Sequence, residues 1–127
     1  TDANNILPRS RILGIGHHVP ERIVTSRDLE TELDLVRRIG VPRGFLERTT
    51  GVAERRWAPP GTTNSELAAN AARVAMDNAG VSAKDIDCII FAACGQDITE
   101  PATANIVQDR LGARNAQVFD VKNACNS

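Results

Sequence analysis

The chain has 127 residues, 42% hydrophobic and 24% charged, with a formal net charge of −1. That is enough apolar material for a domain with a core, and the charge balance excludes a global attraction to nucleic acid or to an anionic membrane. No apolar run approaches the roughly 18 residues of a membrane span, and the first five residues lack the basic-then-apolar pattern of a secretory signal.

Arg11-Ile12-Leu13-Gly14-Ile15-Gly16 is short, apolar and closed by glycine, which predicts a buried strand. A turn follows at His17-His18-Val19-Pro20. Ser26 predicts the cap of a short helix through Leu33, with Asp28 and Glu30 in its first turn. Leu35 to Ile39 is helical in pattern until Gly40 and Pro42 interrupt it. Gly44 to Val52 reads as a second short helical or irregular piece. Glu54 to Gly61, with two prolines and Trp57, reads as loop or edge strand.

Thr63-x-x-Glu66 is a capping box, and Leu67, Ala71, Val74, Ala75 and Asn78 recur behind it at helical spacing until Gly80. The Ala68, Ala71, Ala72 and Ala75 face is small enough to pack closely on a sheet. Ser82 to Ile86 is a short turn. Cys88-Ile89-Ile90-Phe91-Ala92-Ala93 is continuously apolar, as in a central parallel strand covered on both faces. Gly95 to Glu100 is a loop. Pro101 fits the first turn of a helix running to Leu111, with Gly112 as its stop. Gln117 to Val121 is the next strand. The order helix, strand, helix, strand predicts an α/β fold with a parallel sheet.

Several motifs invite chemistry. Gly14-x-Gly16 lacks the third glycine and the following helix that a dinucleotide site needs. His17 and His18 have no nearby ligand cluster and read as surface turn residues. Arg37, Arg38, Arg43, Arg48, Arg55 and Arg56 form either a solvated face or a site for an anionic group such as phosphate. The three cysteines show no zinc spacing, so no metal is expected, and a reduced, cytoplasmic setting fits them. Cys88 reads as inert core, and Cys94, at the strand end, is ambiguous. Cys125 follows a strand by the short turn Lys122-Asn123-Ala124. At the start of a helix its thiol would be acidified, and nearby amides could hold an oxyanion. That is the placement of a nucleophile elbow.

The ordered set of these segments resembles ketoacyl-ACP synthase III. It comprises residues 11–16 followed by His-His-Val-Pro20, then Thr50-Gly51-Val52-Ala53-Glu54-Arg55 and the stretch from Leu67 to Gly80. Next come the apolar run from Cys88, Pro101-Ala102-Thr103-Ala104, and Phe119-Asp120-Val121-x-Asn123-Ala124-Cys125. The resemblance implies a thiolase fold, which is a five-layered α-β-α-β-α body when complete and is usually homodimeric. Residues 1–127 would be an incomplete part of the N-terminal half. The C-terminal half, with the family's catalytic His and Asn, is absent from this chain. The sequence stops at Asn126-Ser127, within what reads as a helix start.

The resemblance implies an acyltransferase whose nucleophile is Cys125. It takes an acyl group from one thioester, and the carbanion of a second thioester then attacks it. Phe45 stands where the family commonly has a Trp that stacks on coenzyme A. Thr49 stands where the family has an Arg, with Arg48 one place away as its substitute. Glu100, before Pro101, departs from the family's usual apolar residue. It is similar instead to the loop Glu of the head-to-head acyl-CoA condensing enzymes of bacterial olefin biosynthesis, where that Glu reaches the partner subunit's site. Hydroxymethylglutaryl-CoA synthase also has a Glu after this strand.

Decarboxylation of a malonyl thioester makes its own carbanion, whereas joining two ordinary acyl thioesters requires a base. Glu100 would be that base, or else a surface carboxylate favoured by the helix start beside it. The expected function is therefore a Claisen condensation of acyl thioesters, non-decarboxylative on two acyl-CoAs. The alternatives are a decarboxylative enzyme using malonyl-ACP, or a non-catalytic partner subunit of a condensing heterodimer. No cofactor is expected beyond coenzyme A or acyl carrier protein thioesters as substrates.

Overall fold

The computed structural model describes residues 10–127; the first five residues, read above for a signal, lie outside them. The described residues fall into two compact units. One comprises residues 19–62, and the other joins the N-terminal stretch up to His18 to residues 63–127.

In the smaller unit, strand β1 (Arg22–Thr25) pairs antiparallel with β2 (Glu54–Trp57), Thr25 opposite Glu54 and Arg22 opposite Trp57. Three short helices lie between them in sequence: α1 (Ser26–Glu32), α2 (Leu35–Ile39) and α3 (Phe45–Thr50). The cap of α1 is Thr25, one residue before the predicted Ser26. Thr25 Oγ1 accepts from Asp28 N and the Asp28 carboxylate accepts from Thr25 N, satisfying two otherwise free amides. Ser26 turns inward instead and is buried. Its hydroxyl donates to Val52 O at 2.5 Å and accepts from Arg55 Nη2 at 2.9 Å. Val24 supplies the buried apolar side chain of this unit. Strand β1 had no counterpart in the sequence reading, because its four residues sit at the edge of a turn-rich stretch.

In the larger unit, α4 (Asn64–Ala79) packs on α5 (Thr103–Leu111). Helix α5 in turn packs on the parallel pair β3 (Cys88–Ala92) and β4 (Gln117–Val121). Thr63 caps α4 through Glu66 N, and Gly80 ends it in a left-handed conformation. Ser82 and Asp85 close a capping box on the intervening 3-10 turn, Ala83–Asp85. Ala69, Ala104, Val107, Ala113 and Ala116 are the buried apolar residues.

Three expectations for this unit need correction. Residues 11–16 join no strand ladder among the described residues, and Ile12, Leu13 and Ile15 are exposed. The two glycines there serve packing. A Cβ on Gly14 would lie 2.5 Å from Ala75 O, and one on Gly16 would lie 2.5 Å from Ala71 O. The alanine face of α4 thus meets this glycine segment and α5, and Asn78 Nδ2 donates to Ile15 O at 2.8 Å. Second, among the described residues β3 is covered on one face only. Ile89 and Phe91 are half-buried, while Cys88, Ile90 and Ala92 alternate onto an exposed face, so Cys88 is not core. A continuous apolar run predicts two buried faces only when other elements cover both, and helix α5 packs against the sheet of two strands. Third, Pro101 lies ahead of α5, which starts at Thr103 with Ala102 at the cap. No helix among the described residues is long and apolar enough to cross a membrane.

Candidate active site

The parallel register Ala92↔Val121 aligns the carboxyl ends of β3 and β4, and Ala93 N extends the pairing to Val121 O at 3.3 Å. The segments leaving that end are the loop holding Glu100 and the turn holding Cys125. In open parallel sheets this is the edge where ligands bind, because side chains on adjacent loops converge there. Glu100 and Cys125 are both exposed.

The Glu100 loop is tied down by its neighbours. Asp97 Oδ1 accepts from Asn64 N at 2.8 Å and from Ser65 N at 3.3 Å, so its carboxylate meets the positive start of α4. Asp97 N donates to Thr103 Oγ1 at 3.3 Å. Thr103 is fully buried at the start of α5. There, Thr103 N and Ala104 N each donate to the Asp120 carboxylate at 2.8 Å. Lys122 Nζ donates to Gln96 Oε1 at 3.2 Å, linking the loop to the segment that leads to Cys125. The peptide bond between Glu100 and Pro101 is cis.

Asp97, Asp120 and Lys122 were not singled out from sequence. For Asp120 a signal was present: a carboxylate inside the apolar strand Val118-Phe119-Asp120-Val121 must find donors, and the free amides of an adjacent helix start are the nearest supply.

Cys125 sits in a single 3-10 turn, Ala124–Asn126, rather than at the start of an α-helix. The amides of Asn126 and Ser127 donate to Asn123 O at 2.9 Å and to Ala124 O at 3.3 Å, and Asn123 N donates to Ser127 Oγ at 2.7 Å. Those amides are therefore engaged inside the turn. The turn also bends sharply. Ala124 has φ +48, a left-handed conformation that costs a non-glycine residue strain and turns the chain sharply before Cys125. Cys94, at the end of β3, is likewise a free, exposed thiol.

Phe45 and Arg48 lie one turn apart on α3 of the other unit, Phe45 half-buried and Arg48 exposed. The arginine cluster divides by partner. Arg37 pairs with Asp34 at 3.0 Å. Arg55 donates to Ser26 Oγ and to Val24 O, and Arg56 to the carbonyls of Pro20 and Glu21. Arg55 and Arg56 thus tie β2 to β1 and to the residues just around it. His17 and His18 are exposed, and among the described residues no group of three His, Cys, Asp or Glu side chains could hold a metal.

In sequence and fold the chain is similar to known condensing enzymes. The chain is 45% identical over 114 residues to β-ketoacyl-acyl-carrier-protein synthase III of Listeria welshimeri, a match covering 90% of this chain and 35% of the relative. The Listeria monocytogenes enzyme is 46% identical over the same span. The chain is a relative of the ketoacyl-ACP synthase III-like condensing enzymes. These belong to the thiolase superfamily, and the chain has the mixed helix and strand structure of part of a thiolase fold. Cerulenin-bound OleA of Xanthomonas campestris superposes with a TM-score of 0.83 at 29% identity, covering 94% of this chain and 38% of OleA. The priming β-ketosynthase of the R1128 polyketide pathway superposes at 0.80 with 30% identity, covering 91% and 33%. No protein-family model matches. The chain thus spans about a third of the length of its ketoacyl-ACP synthase III relatives.

Proposed function

We propose that this chain carries the nucleophile and the base of an acyltransferase that joins two acyl-CoAs by a non-decarboxylative Claisen condensation. The observation that carries the reading is the shared sheet edge: the register of β3 and β4 sends the Glu100 loop and the Cys125 turn out of the same end. In the first stage the Cys125 thiolate attacks an acyl thioester, and coenzyme A leaves as its thiol. In the second, the Glu100 carboxylate takes an α-proton from a second acyl-CoA. The resulting carbanion attacks the acyl-Cys125 carbonyl, the Cys125 thiolate departs, and a β-keto thioester is released. Phe45 and Arg48 contact the coenzyme A handle. We assign the His and Asn partners to a second half of the fold and the working unit to a homodimer.

A decarboxylative reading has its own support, since the relatives at 45% and 46% identity are β-ketoacyl-acyl-carrier-protein synthases III. In that reaction malonyl-ACP loses carbon dioxide to form the carbanion, and Glu100 removes no proton. The two separate on substrate dependence. Given two saturated acyl-CoAs and no malonyl thioester, the full-length protein is expected to form the β-keto product. Strict dependence on malonyl-ACP, with carbon dioxide released in step with product, would establish the decarboxylative route instead.

A further inference from the structure

We propose that Lys122 is a positioning residue, which with Gln96 holds the Glu100 loop against the turn carrying Cys125, a role that rests on the condensation reading above. Side chains two apart along an extended chain share a face. Asp120 and Lys122 stand so at the carboxyl end of β4, and both engage the segment that joins β3 to α5. Asp120 holds its exit, accepting from Thr103 N and Ala104 N, each at 2.8 Å. Lys122 holds its entry, where Nζ donates to Gln96 Oε1 at 3.2 Å. Glu100 lies between those two points in the chain. The strand that leads to Cys125 thus grips the loop on both sides of its carboxylate.

The two ends differ in what else secures them. The exit is built into the start of α5, where Thr103 is fully buried. At the entry, Asp97 ties the loop to the start of α4 through Asn64 N and Ser65 N, and so leaves the Cys125 turn untouched. Among the described residues, the contact between Lys122 and Gln96 is the only side-chain hydrogen bond that joins residues 94–101 to residues 122–127. Its ammonium donor makes the bond charge-assisted, which strengthens it over a neutral pair.

That contact bears on one stage of the proposed reaction. A base must lie within hydrogen-bond reach of the proton it removes, and misplacement by about 1 Å costs on the order of 10²-fold in rate. Acylation of Cys125 calls on no base from this loop. A residue that sets the loop therefore governs the second stage and leaves the first alone.

The test is a double-mutant cycle in the full-length protein, with Lys122→Met, Gln96→Met and the two combined. Acylation by radiolabelled acyl-CoA and single-turnover condensation of two acyl-CoAs are followed separately. Each single variant should lower condensation about tenfold, with acylation unchanged. The combined variant should be no slower than either single one, because both remove the same contact. Lys122→Arg keeps a charged donor and should recover most of the rate. Amide hydrogen exchange in residues 95–100, read by mass spectrometry, should quicken in both single variants. The proposal is overturned if folded Lys122→Met condenses as the parent does, if the two losses multiply in the combined variant, or if acylation falls in step with condensation. Glu100→Ala in the same assays separates this from failure of the condensation reading. Loss of condensation there but not in Lys122→Met excludes Lys122 alone. If Glu100→Ala leaves condensation unchanged, the condensation reading fails, and amide exchange then decides whether Lys122 holds the loop: unchanged exchange in Lys122→Met shows that it does not.

Discussion

The two units use their carboxylates alike and their remaining polar groups differently. In the larger unit Asp97 and Asp120 satisfy the starts of α4 and α5, while in the smaller one Glu30 satisfies the start of α3. In each case a side chain distant in sequence reaches the helix start and ties it to another segment, adding to the Thr63 cap on α4 and standing in for a missing local cap on α5 and α3. What is left over differs. The larger unit leaves a thiol and a carboxylate on loops at one sheet edge, groups suited to covalent and proton chemistry. The smaller leaves the guanidiniums of Arg27, Arg43 and Arg48 around a cavity, groups suited to holding an anion. In the proposed reading, the reacting groups and the guanidiniums thus belong to separately built units.

The sharpest way to break that division of labour is Glu100→Ala. Removal of a positioned general base costs about 10²–10⁴ in rate. Condensation of two acyl-CoAs should fall by that factor while acylation of Cys125 proceeds; an unchanged product rate would remove Glu100 from the mechanism. Next in size is Gly16→Ala. The added methyl would be driven into the backbone of α4 near Ala71 O, and such overpacking costs about 1–3 kcal/mol, readable in urea denaturation. Asp120→Ala should cost about 1–2 kcal/mol through loss of the cap on α5. Because Thr103 links α5 to the Glu100 loop, it should also lower the condensation rate more than the acylation rate, as measured in single-turnover assays.

The smallest effect concerns pH. The amides of Leu46 and Gly44 hold the Glu30 carboxyl below the ordinary glutamate range, aided by Arg48 and Arg27. A depressed folded-state value means that Glu30 contributes its full stabilisation above the unfolded value. The contribution is lost as pH falls from there through the folded value. Unfolding of the parent should therefore become easier on acidification below about pH 4.3, and Glu30→Gln should flatten that dependence. The same slope in both would show that Glu30 carries none of it.

How much of this was legible in the sequence follows from the range of each interaction. Helix α4 and the strand at Gln117 were readable because a cap, a period and a glycine stop are local signals. Thr25 displaced Ser26 as the cap because either side chain can serve, and the burial of Ser26 is decided by Val52 and Arg55, more than 25 residues away. The apolar run at Cys88 predicted two buried faces, yet periodicity cannot say which neighbours are present to cover them. The turn holding Cys125 was legible because it follows a strand whose end is a local signal. The arginine cluster could be counted in sequence, whereas its division into spent and unspent groups depends on three-dimensional partners.

The central claim is that Cys125 accepts the acyl group, and acyl transfer to the protein tests it most directly. The full-length protein incubated with radiolabelled acyl-CoA, then digested and mapped by mass spectrometry, should carry one acyl group on Cys125. The label should be absent from a Cys125→Ala variant and unaffected by Cys94→Ala. Label on Cys94 instead, or no adduct with Cys125 intact and the protein folded, would contradict the account.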